Sequence, residues 1–510
     1  MMTDNRKITP IRRLSELLRG MVRVDTNVDR DIRGVTADSR AAVPGGLFIA
    51  CAGSRSHGLS YARDAIARGA VAVIYDTAPS HDTSWQPLPP DVALLCVPGL
   101  AQQVGAVAAR FYGQPSHGLK VIGVTGTNGK TSCCQFLAQA LHHDAPCGVI
   151  GTLGNGVYGQ LADTAHTTPE AVQLQALFAG FRDQGARAVV MEVSSHALDQ
   201  GRVDGVEFAG AVFTNLSHEH LDYHGDMAAY AAAKQRLFEK PGLRFAVINL
   251  DDPFGRRLID TLGADVQVVG YTLTEQPSPA NRPGLLRVTG SIARINIDGF
   301  EMDVATPWGS GTVSSRLLGR FNGANLLAVL GALLVSGMAF DVAVARVAAV
   351  VTVPGRMERF GGRSGRPLVV VDYAHTPDAL EQVLTSLREH CHATLWCVFG
   401  CGGDRDRDKR PLMGRVAEQY ADRVVLTDDN PRTEDGAAIV AQIRAGMRRP
   451  QTAVVERQRS QAIAGAVRQA GAGDVVLVAG KGHEEYQLIG ERRIPYSDRR
   501  EVSALVQEAA

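Results

Sequence analysis

The densest chemistry in the chain lies in Val121-Ile122-Gly123-Val124-Thr125-Gly126-Thr127-Asn128-Gly129-Lys130-Thr131. A short β-branched run ends in glycines three residues apart, then Lys-Thr, then the helix-like stretch 132–141. The pattern predicts a strand, a phosphate-cradling loop and a helix N-terminus. Glycine lets backbone N–H groups turn toward an anion, and the helix end adds partial positive charge. Lys130 can reach terminal phosphates and the Thr131 hydroxyl can ligate magnesium. The usual spacing wants glycine at position 124, which is Val124; Gly123 comes one residue early. What the phosphate is used for depends on other residues.

Two further groups carry chemistry. Arg187-Ala188-Val189-Val190-Met191-Glu192-Val193 reads as a buried strand with an acid at its carboxyl end, where nucleotide-binding sheets place a metal-linked carboxylate. A second strand, 209–215, runs into Leu216-Ser217-His218-Glu219-His220-Leu221-Asp222-Tyr223-His224. Three histidines and two acids within seven residues invite a zinc reading, but no second cluster of suitable spacing completes such a site. Lys234 sits in a helical pattern over 230–238, where a lysine is normally a solvated face residue.

These groups need elements to position them. At 510 residues, 45% hydrophobic and 21% charged, the chain has the length of about three domains and the composition of a globular protein with full cores. The 53 basic and 53 acidic residues leave no net field for nucleic acid or an anionic membrane. The start, Met1-Met2-Thr3-Asp4-Asn5-Arg6, lacks an apolar signal core, and no apolar run is long enough to span a membrane. Eight scattered cysteines without a Cys-x-x-Cys pair read as reduced thiols of a cytoplasmic enzyme. The expected architecture is α/β in three domains. Residues 1–117 form a small α/β domain, 118–352 a P-loop domain with a mainly parallel sheet, and 353–510 a Rossmann-like domain.

In the first domain, Ser39 and the turn Gly53-Ser54-Arg55-Ser56-His57-Gly58 lie at strand ends, either as plain turn residues or as ligand contacts. In the second, residues 275–284 read as a proline-containing surface loop and 285–304 as antiparallel strands. Asn322 or Asn325 caps the helix that follows. In the third, apolar strands at 368–371, 394–399, 424–426 and 475–478 alternate with helical patterns. Each is followed by a polar cluster: Asp372-Tyr373-Ala374-His375-Thr376-Pro377, Gly400-Cys401-Gly402-Gly403-Asp404-Arg405-Asp406, Asp428-Asp429-Asn430-Pro431-Arg432 and Gly480-Lys481-Gly482-His483-Glu484. Parallel strands would gather all four at one sheet edge as a ligand-binding rim.

The stretches 123–131, Glu192-Val-Ser-Ser-His196, Thr214-Asn-Leu-Ser-His-Glu-His220 and Asp372-Tyr-Ala-His-Thr-Pro377 together resemble the Mur ligases, ATP-dependent amide-forming enzymes of the bacterial cell wall. The early glycine is that family's own form of the loop, and the resemblance runs in order along nearly the whole chain. It implies that ATP is held by Gly126, Thr127, Asn128, Gly129, Lys130, Thr131 and Ser132, with Asn325, Arg356 and Asp372 near the nucleotide. Two magnesium ions are implied, with Thr131, Glu192, His220 and a carbamate on Lys234 as ligands; the catalytic group is then Lys130, Lys234, Glu192 and His220. UDP-N-acetylmuramoyl-L-alanyl-D-glutamate would be held by Ala37, Ser39, Arg55, Ser56 and His57 at its uridine end. Its muramoyl-dipeptide end would meet His166, Thr167, Thr168, Ser194, Gln200 and Arg202. Arg405, Asp429, Asn430, Pro431, Arg432, Gly480 and Glu484 match contacts to meso-2,6-diaminopimelate, and the Asp-Asn-Pro-Arg run points to that acceptor rather than lysine. The expected enzyme is a cytoplasmic monomer of peptidoglycan precursor synthesis, serving cell shape and division. This sequence departs from the family pattern at Glu219, where Asp is common, at His166, where some members have Asn, and at Asp408, where Gly is frequent.

Three other readings compete. A folylpolyglutamate-type ligase shares the phosphate loop but leaves the Asp-Asn-Pro-Arg run and a sugar-nucleotide domain unaccounted for. A P-loop kinase would make a stable phosphorylated metabolite. A nucleotide-dependent binding module would make no product.

Overall fold

The computed structural model describes residues 10–53, 56–77, 89–274, 282–362 and 365–508. The expectations at Met1–Arg6, at Ser54 and Arg55, and over 275–281 of the surface loop lie outside the described residues. The chain divides into two compact units, Met1–Val269 with Ala280–Leu285, and Gly270–Pro279 with Leu286–Ala510. Both are α/β.

After a short antiparallel pair, Arg12–Arg13 with Asp31–Ile32, the first unit forms a parallel sheet in the order Gly34–Thr36, Gly46–Ala50, Ala70–Tyr75, Ala93–Cys96. Gly46–Ala50 is buried along its whole length, as a strand covered on both faces must be. A helix at Ala62–Ala67 lies within the expected helical run 61–68. The larger sheet that follows centres on Lys120–Thr125. Ala188–Glu192 pairs parallel on one side of it and Gly210–Phe213 on the other. Cys147–Gly151 and Phe245–Asn249 extend the parallel core outward. The strand feeding the phosphate loop therefore has both neighbours ending beside that loop. Phe178, Phe208, Phe213 and Leu237 pack the core beneath it.

The second unit opens with an antiparallel meander, Leu286–Asn296, Gly299–Thr306 and Gly309–Ser315. The first two strands match the expected alternation; the third, rich in Gly and Ser, offers no apolar run for sequence reading to detect. The helix Arg320–Val335 follows. Gly319 occupies its cap position, so neither asparagine does: Asn322 Nδ2 donates to Leu318 O and Asn325 Nδ2 to Asn322 Oδ1. The last sheet runs Glu358–Gly361, Leu368–Asp372, Val475–Ala479, Leu395–Phe399, Arg423–Leu426, Val454–Val455. All neighbours are parallel except the first pair. Its four main strands are the four read from the sequence, and their carboxyl ends share one edge. Among the described residues, no helix is long and apolar enough to cross a membrane.

Candidate functional site

The loop after Lys120–Thr125 is closed by a clamp from the neighbouring strand. Gly126 has φ of 148°, and a Cβ there would stand 1.9 Å from Thr214 Oγ1. The crowding comes from the clamp itself. Thr214 Oγ1 donates to Asn128 O at 2.6 Å, Asn128 N–H donates to Asn215 Oδ1 at 2.9 Å, and Thr127 N–H donates to Asn215 O at 2.8 Å. Ser217 N–H donates to Thr127 Oγ1 at 2.9 Å. The helix Lys130–His142 starts directly after the loop. The first N–H groups of a helix lack intrahelical partners, so loop and helix end together suit an anion, with Ser132 in the first turn.

Charge is concentrated at the same loop. Lys130 Nζ donates to Gly126 O and Thr127 O, both at 2.9 Å. Lys234, from the helix Met227–Gln235, is 1% exposed, and its Nζ also donates to Gly126 O, at 2.9 Å, from 4.3 Å over the Tyr230 ring. Burial pushes the Lys234 ammonium well below the usual lysine range; the nearby Lys130 charge pushes the same way and Glu219 opposes. Lys234 is thus a desolvated amine beside a phosphate loop, not a solvated face residue.

Behind the loop runs a chain of hydrogen bonds. Thr131 Oγ1 donates to Glu192 Oε2 at 2.9 Å, and Thr152 N–H donates to Glu192 Oε1 at 2.8 Å. Thr152 Oγ1 meets Thr167 Oγ1 at 3.1 Å. Thr168 Oγ1 donates to the Glu192 carbonyl at 2.8 Å and accepts from Ser194 N–H at 3.1 Å. Arg202 reaches Thr168 O at 3.0 Å and Gln200 Oε1 at 2.8 Å. Thr167, Thr168, Ser194, Gln200 and Arg202 therefore come together and are wired to Thr131 through Glu192. His166 stands beside them in sequence but is exposed.

His220 is placed differently from Glu192. With φ of 57° it begins the short helix Leu221–His224, and its ring lies 4.8 Å from His196 and 6.1 Å from Tyr230. His224 Nε2 meets Ser195 Oγ at 3.0 Å. Burial holds His196 and His224 below the usual histidine range, and the neighbouring histidines add to it. Two histidines of that run, His220 and His224, thus join a ring cluster with His196 and Tyr230, while His218 is exposed. Among the described residues, no group of three or more His, Cys, Asp or Glu side chains is arranged to hold an ion.

Toward the N-terminus, Ser39 and His57 follow adjacent parallel strands and are both buried, whereas Ala37 and Ser56 are exposed. His57 Nδ1 accepts from Leu59 N–H at 3.2 Å, while its buried Nε2 has no hydrogen-bond partner among the described residues. A buried polar atom left unpaired is uncommon and suits a ligand contact.

In the second unit the rim forms as expected. Gly480 N–H donates to Asp372 O at 3.1 Å, and Gly403 N–H to Asn430 O at 2.9 Å, so the polar clusters bond to one another. Arg432, at φ 51°, donates from Nη1 to Gly403 O at 2.7 Å. A Cβ on Gly402 would stand 3.0 Å from Arg432 Nη1 and 3.6 Å from the Arg405 side chain, so Gly402 lies beside both arginines. Asn430 Nδ2 donates to Glu484 Oε2 at 3.0 Å; Asp429 and Pro431 are buried on either side. Asp372 accepts from Met357 and Ala374 N–H, each at 2.7 Å. Burial raises its carboxyl above the usual range, against the pull of Arg356 and those two N–H groups. The Arg356 guanidinium lies 4.8 Å over the Tyr373 ring.

Sequence reading gave no role to Thr152, to Thr214, Asn215 and Ser217 as a clamp, or to Lys481, which is 0% exposed among the rim acids. Lys481 does carry a local signal: a lysine between two glycines just past a buried strand.

Three family matches cover the chain: Mur ligase family, catalytic domain over residues 31–112; Mur ligase middle domain over 124–333; and Mur ligase, glutamate ligase domain over 355–482. A UDP-N-acetylmuramoyl-L-alanyl-D-glutamate–2,6-diaminopimelate ligase of Alkalilimnicola ehrlichii is 50% identical over 96% of this chain and 98% of its own length. The same-named protein of Pseudomonas aeruginosa is 52% identical over 92% and 93%. A solved structure of such a ligase is 37% identical, covers 98% of this chain and 99% of its own, and superposes with a TM-score of 0.73. With family domains matched in order along the chain and half the residues identical to curated relatives, the chain belongs to the Mur ligase family.

Proposed function

We propose that the protein is an ATP-dependent ligase that joins meso-2,6-diaminopimelate to the D-glutamate side-chain carboxylate of UDP-N-acetylmuramoyl-L-alanyl-D-glutamate, a step of peptidoglycan precursor synthesis. The observation that carries it is the continuous path Thr131–Glu192–Thr152–Thr167, which ties the phosphate loop to the dipeptide-binding residues. Carboxylate activation needs that adjacency. The names of the relatives supply the substrate pair.

The substrate carboxylate attacks the γ-phosphorus of ATP, giving an acyl phosphate and ADP. The neutral amine of diaminopimelate then adds to the acyl carbon, and the tetrahedral adduct expels phosphate. Two anions approach in the first step, and Lys130 offsets their repulsion. Arg202, steadied by Gln200, and Thr168, steadied by Ser194, orient the dipeptide. In the other unit, Arg432 and Arg405 suit the acceptor's distal carboxylate and Glu484 its distal ammonium. Ser39 and His57 take the uridine diphosphate end.

The oxygens of Thr131 and Glu192 fit Mg2+, a hard cation that takes one or two carboxylates and completes its shell with phosphate oxygens and water rather than a protein cage. Bound there, the ion adds positive charge at the phosphoryl oxygens. A carbamate on Lys234 would offer a carboxylate to a second ion, and His220 and Lys234 both lie against the Tyr230 ring. The low basicity of Lys234 supports this modification, since only a neutral amine adds carbon dioxide.

The test is product mass with ATP, the UDP-dipeptide, and diaminopimelate and lysine in equal amounts. The expected result is one new amide, carrying diaminopimelate, with ADP and phosphate released only when both co-substrates are present. A preference of at least about a hundredfold is expected, because a lysine leaves the arginine pair without its carboxylate. Equal use of the two acids removes the acceptor assignment, and absence of any amide removes the ligase.

A further inference from the structure

The acceptor rim is built around a lysine that touches no solvent. Lys481 Nζ donates to Asp429 Oδ1 at 3.2 Å, Asn430 Oδ1 at 2.9 Å and Glu484 Oε2 at 3.1 Å. An ammonium has three N–H donors, and all are used. The arrangement of the neighbours follows. Asn430 Oδ1 also accepts from Leu488 N–H at 2.9 Å, which turns its Nδ2 toward Glu484 Oε2 at 3.0 Å. One oxygen of Glu484 is therefore held by two donors, while its side chain stays 18% exposed and open to a ligand. Asp429, only 9% exposed, shares the same ammonium.

We propose that Lys481 is the positioning residue of the acceptor site. It fixes the Asn430 amide and holds the Glu484 carboxylate oriented to receive the distal ammonium of the incoming diamino acid, and so sets the preference for that acid. The proposal rests on the acceptor assignment above. Lys481 itself need not touch the ligand. Without its charge, Asp429 and Glu484 face one another as like charges in a poorly solvated place. Their repulsion then turns Glu484 out of place, which removes the partner of the ammonium. The cost falls on acceptor binding; the phosphate loop belongs to the other compact unit.

Steady-state kinetics on the full-length protein test this, with Lys481→Met, Glu484→Gln and the double variant. Lys481→Met is expected to raise KM for diaminopimelate by roughly tenfold to a hundredfold, with kcat and KM for ATP close to wild type. The double variant is expected to match Glu484→Gln alone, since Lys481 acts through Glu484. A lysine that merely stabilises the fold would lower turnover and raise the ATP KM as well. An unmoved diaminopimelate KM, a parallel rise in the ATP KM, or a double variant worse than Glu484→Gln overturns the proposal. If Lys481→Met cannot be obtained folded, the double variant, which removes one charge of each sign, still decides through that last comparison. Wild-type protein that makes no diaminopimelate amide overturns the acceptor assignment itself and this proposal with it. Wild-type turnover with an unmoved KM in Lys481→Met overturns this proposal alone.

Discussion

Lys234→Ala is expected to lower kcat by about a hundredfold or more while the protein stays folded. Among the described residues, the Lys234 ammonium is held by Gly126 O and the Tyr230 face, with no ion pair to a buried carboxylate. With the proposed carbamate in place, what the variant removes is its oxygen pair, and loss of a charge-stabilising group at a phosphoryl site costs on the order of a hundredfold to a thousandfold. A short carboxylic acid such as acetate should restore part of the rate, because it can place a carboxylate in the space the lysine leaves. Lys234→Arg should not be rescued, since the guanidinium fills that space with the wrong charge. Stability gives an independent check. Because Lys234 binds its proton less readily when folded than when unfolded, the unfolded chain takes up the extra proton between the two pKa values. Without a carbamate, stability therefore falls as pH drops through that window. Lys234→Met should flatten this slope and melt at or above the wild-type temperature. Full activity in Lys234→Ala, or a melting temperature well below wild type for Lys234→Met, would show that the lysine is only a structural side chain.

Gly126→Ala is expected to disable nucleotide binding. The added methyl group would lie 1.9 Å from Thr214 Oγ1 and 3.0 Å from both the nitrogen and the oxygen of Asn215, at a φ of 148° that an alanine seldom adopts. Backbone strain of this kind costs about 1–3 kcal/mol before any displacement of the clamp. The loop must move, and with it the carbonyls that hold Lys130 and Lys234. ATP affinity should fall by more than about tenfold and the melting temperature by several degrees. Thr214→Ala placed on top should recover only part of the loss, because the Asn215 backbone remains in the way. Calorimetric titration with ATP and a thermal melt read both quantities. Wild-type affinity in Gly126→Ala would mean that the loop does not have the tight geometry described.

Much of this was legible in the chain because the signals are local. A strand ending in Gly-Lys-Thr before a helix shows a phosphate loop within a dozen residues. An acid at the end of Ala188–Glu192 and polar clusters after the parallel strands follow from residue order alone, since strands joined by crossover helices run parallel and all end at one edge. Helix boundaries were less legible. The helix Met227–Gln235 starts earlier than the alanine pattern because Asp226 accepts from Ala229 N–H and caps it.

The α/β layout, the phosphate loop, the acidic strand end and the four-part rim are all set by short-range pattern. The electrostatics arise from contacts between residues far apart in the chain. Lys234 gains its burial and its Gly126 contact across 108 residues, and Lys481 meets Asp429 across 52. The clamp of Thr214 on Asn128 spans 86. Desolvation and charge pairing depend on which distant groups exclude water from a side chain, and no spacing along the chain encodes that. The same residue type reads as a solvated lysine in a helix or a lysine between glycines. Folding makes the first a weakly basic amine at a phosphate loop and the second the centre of a carboxylate rim.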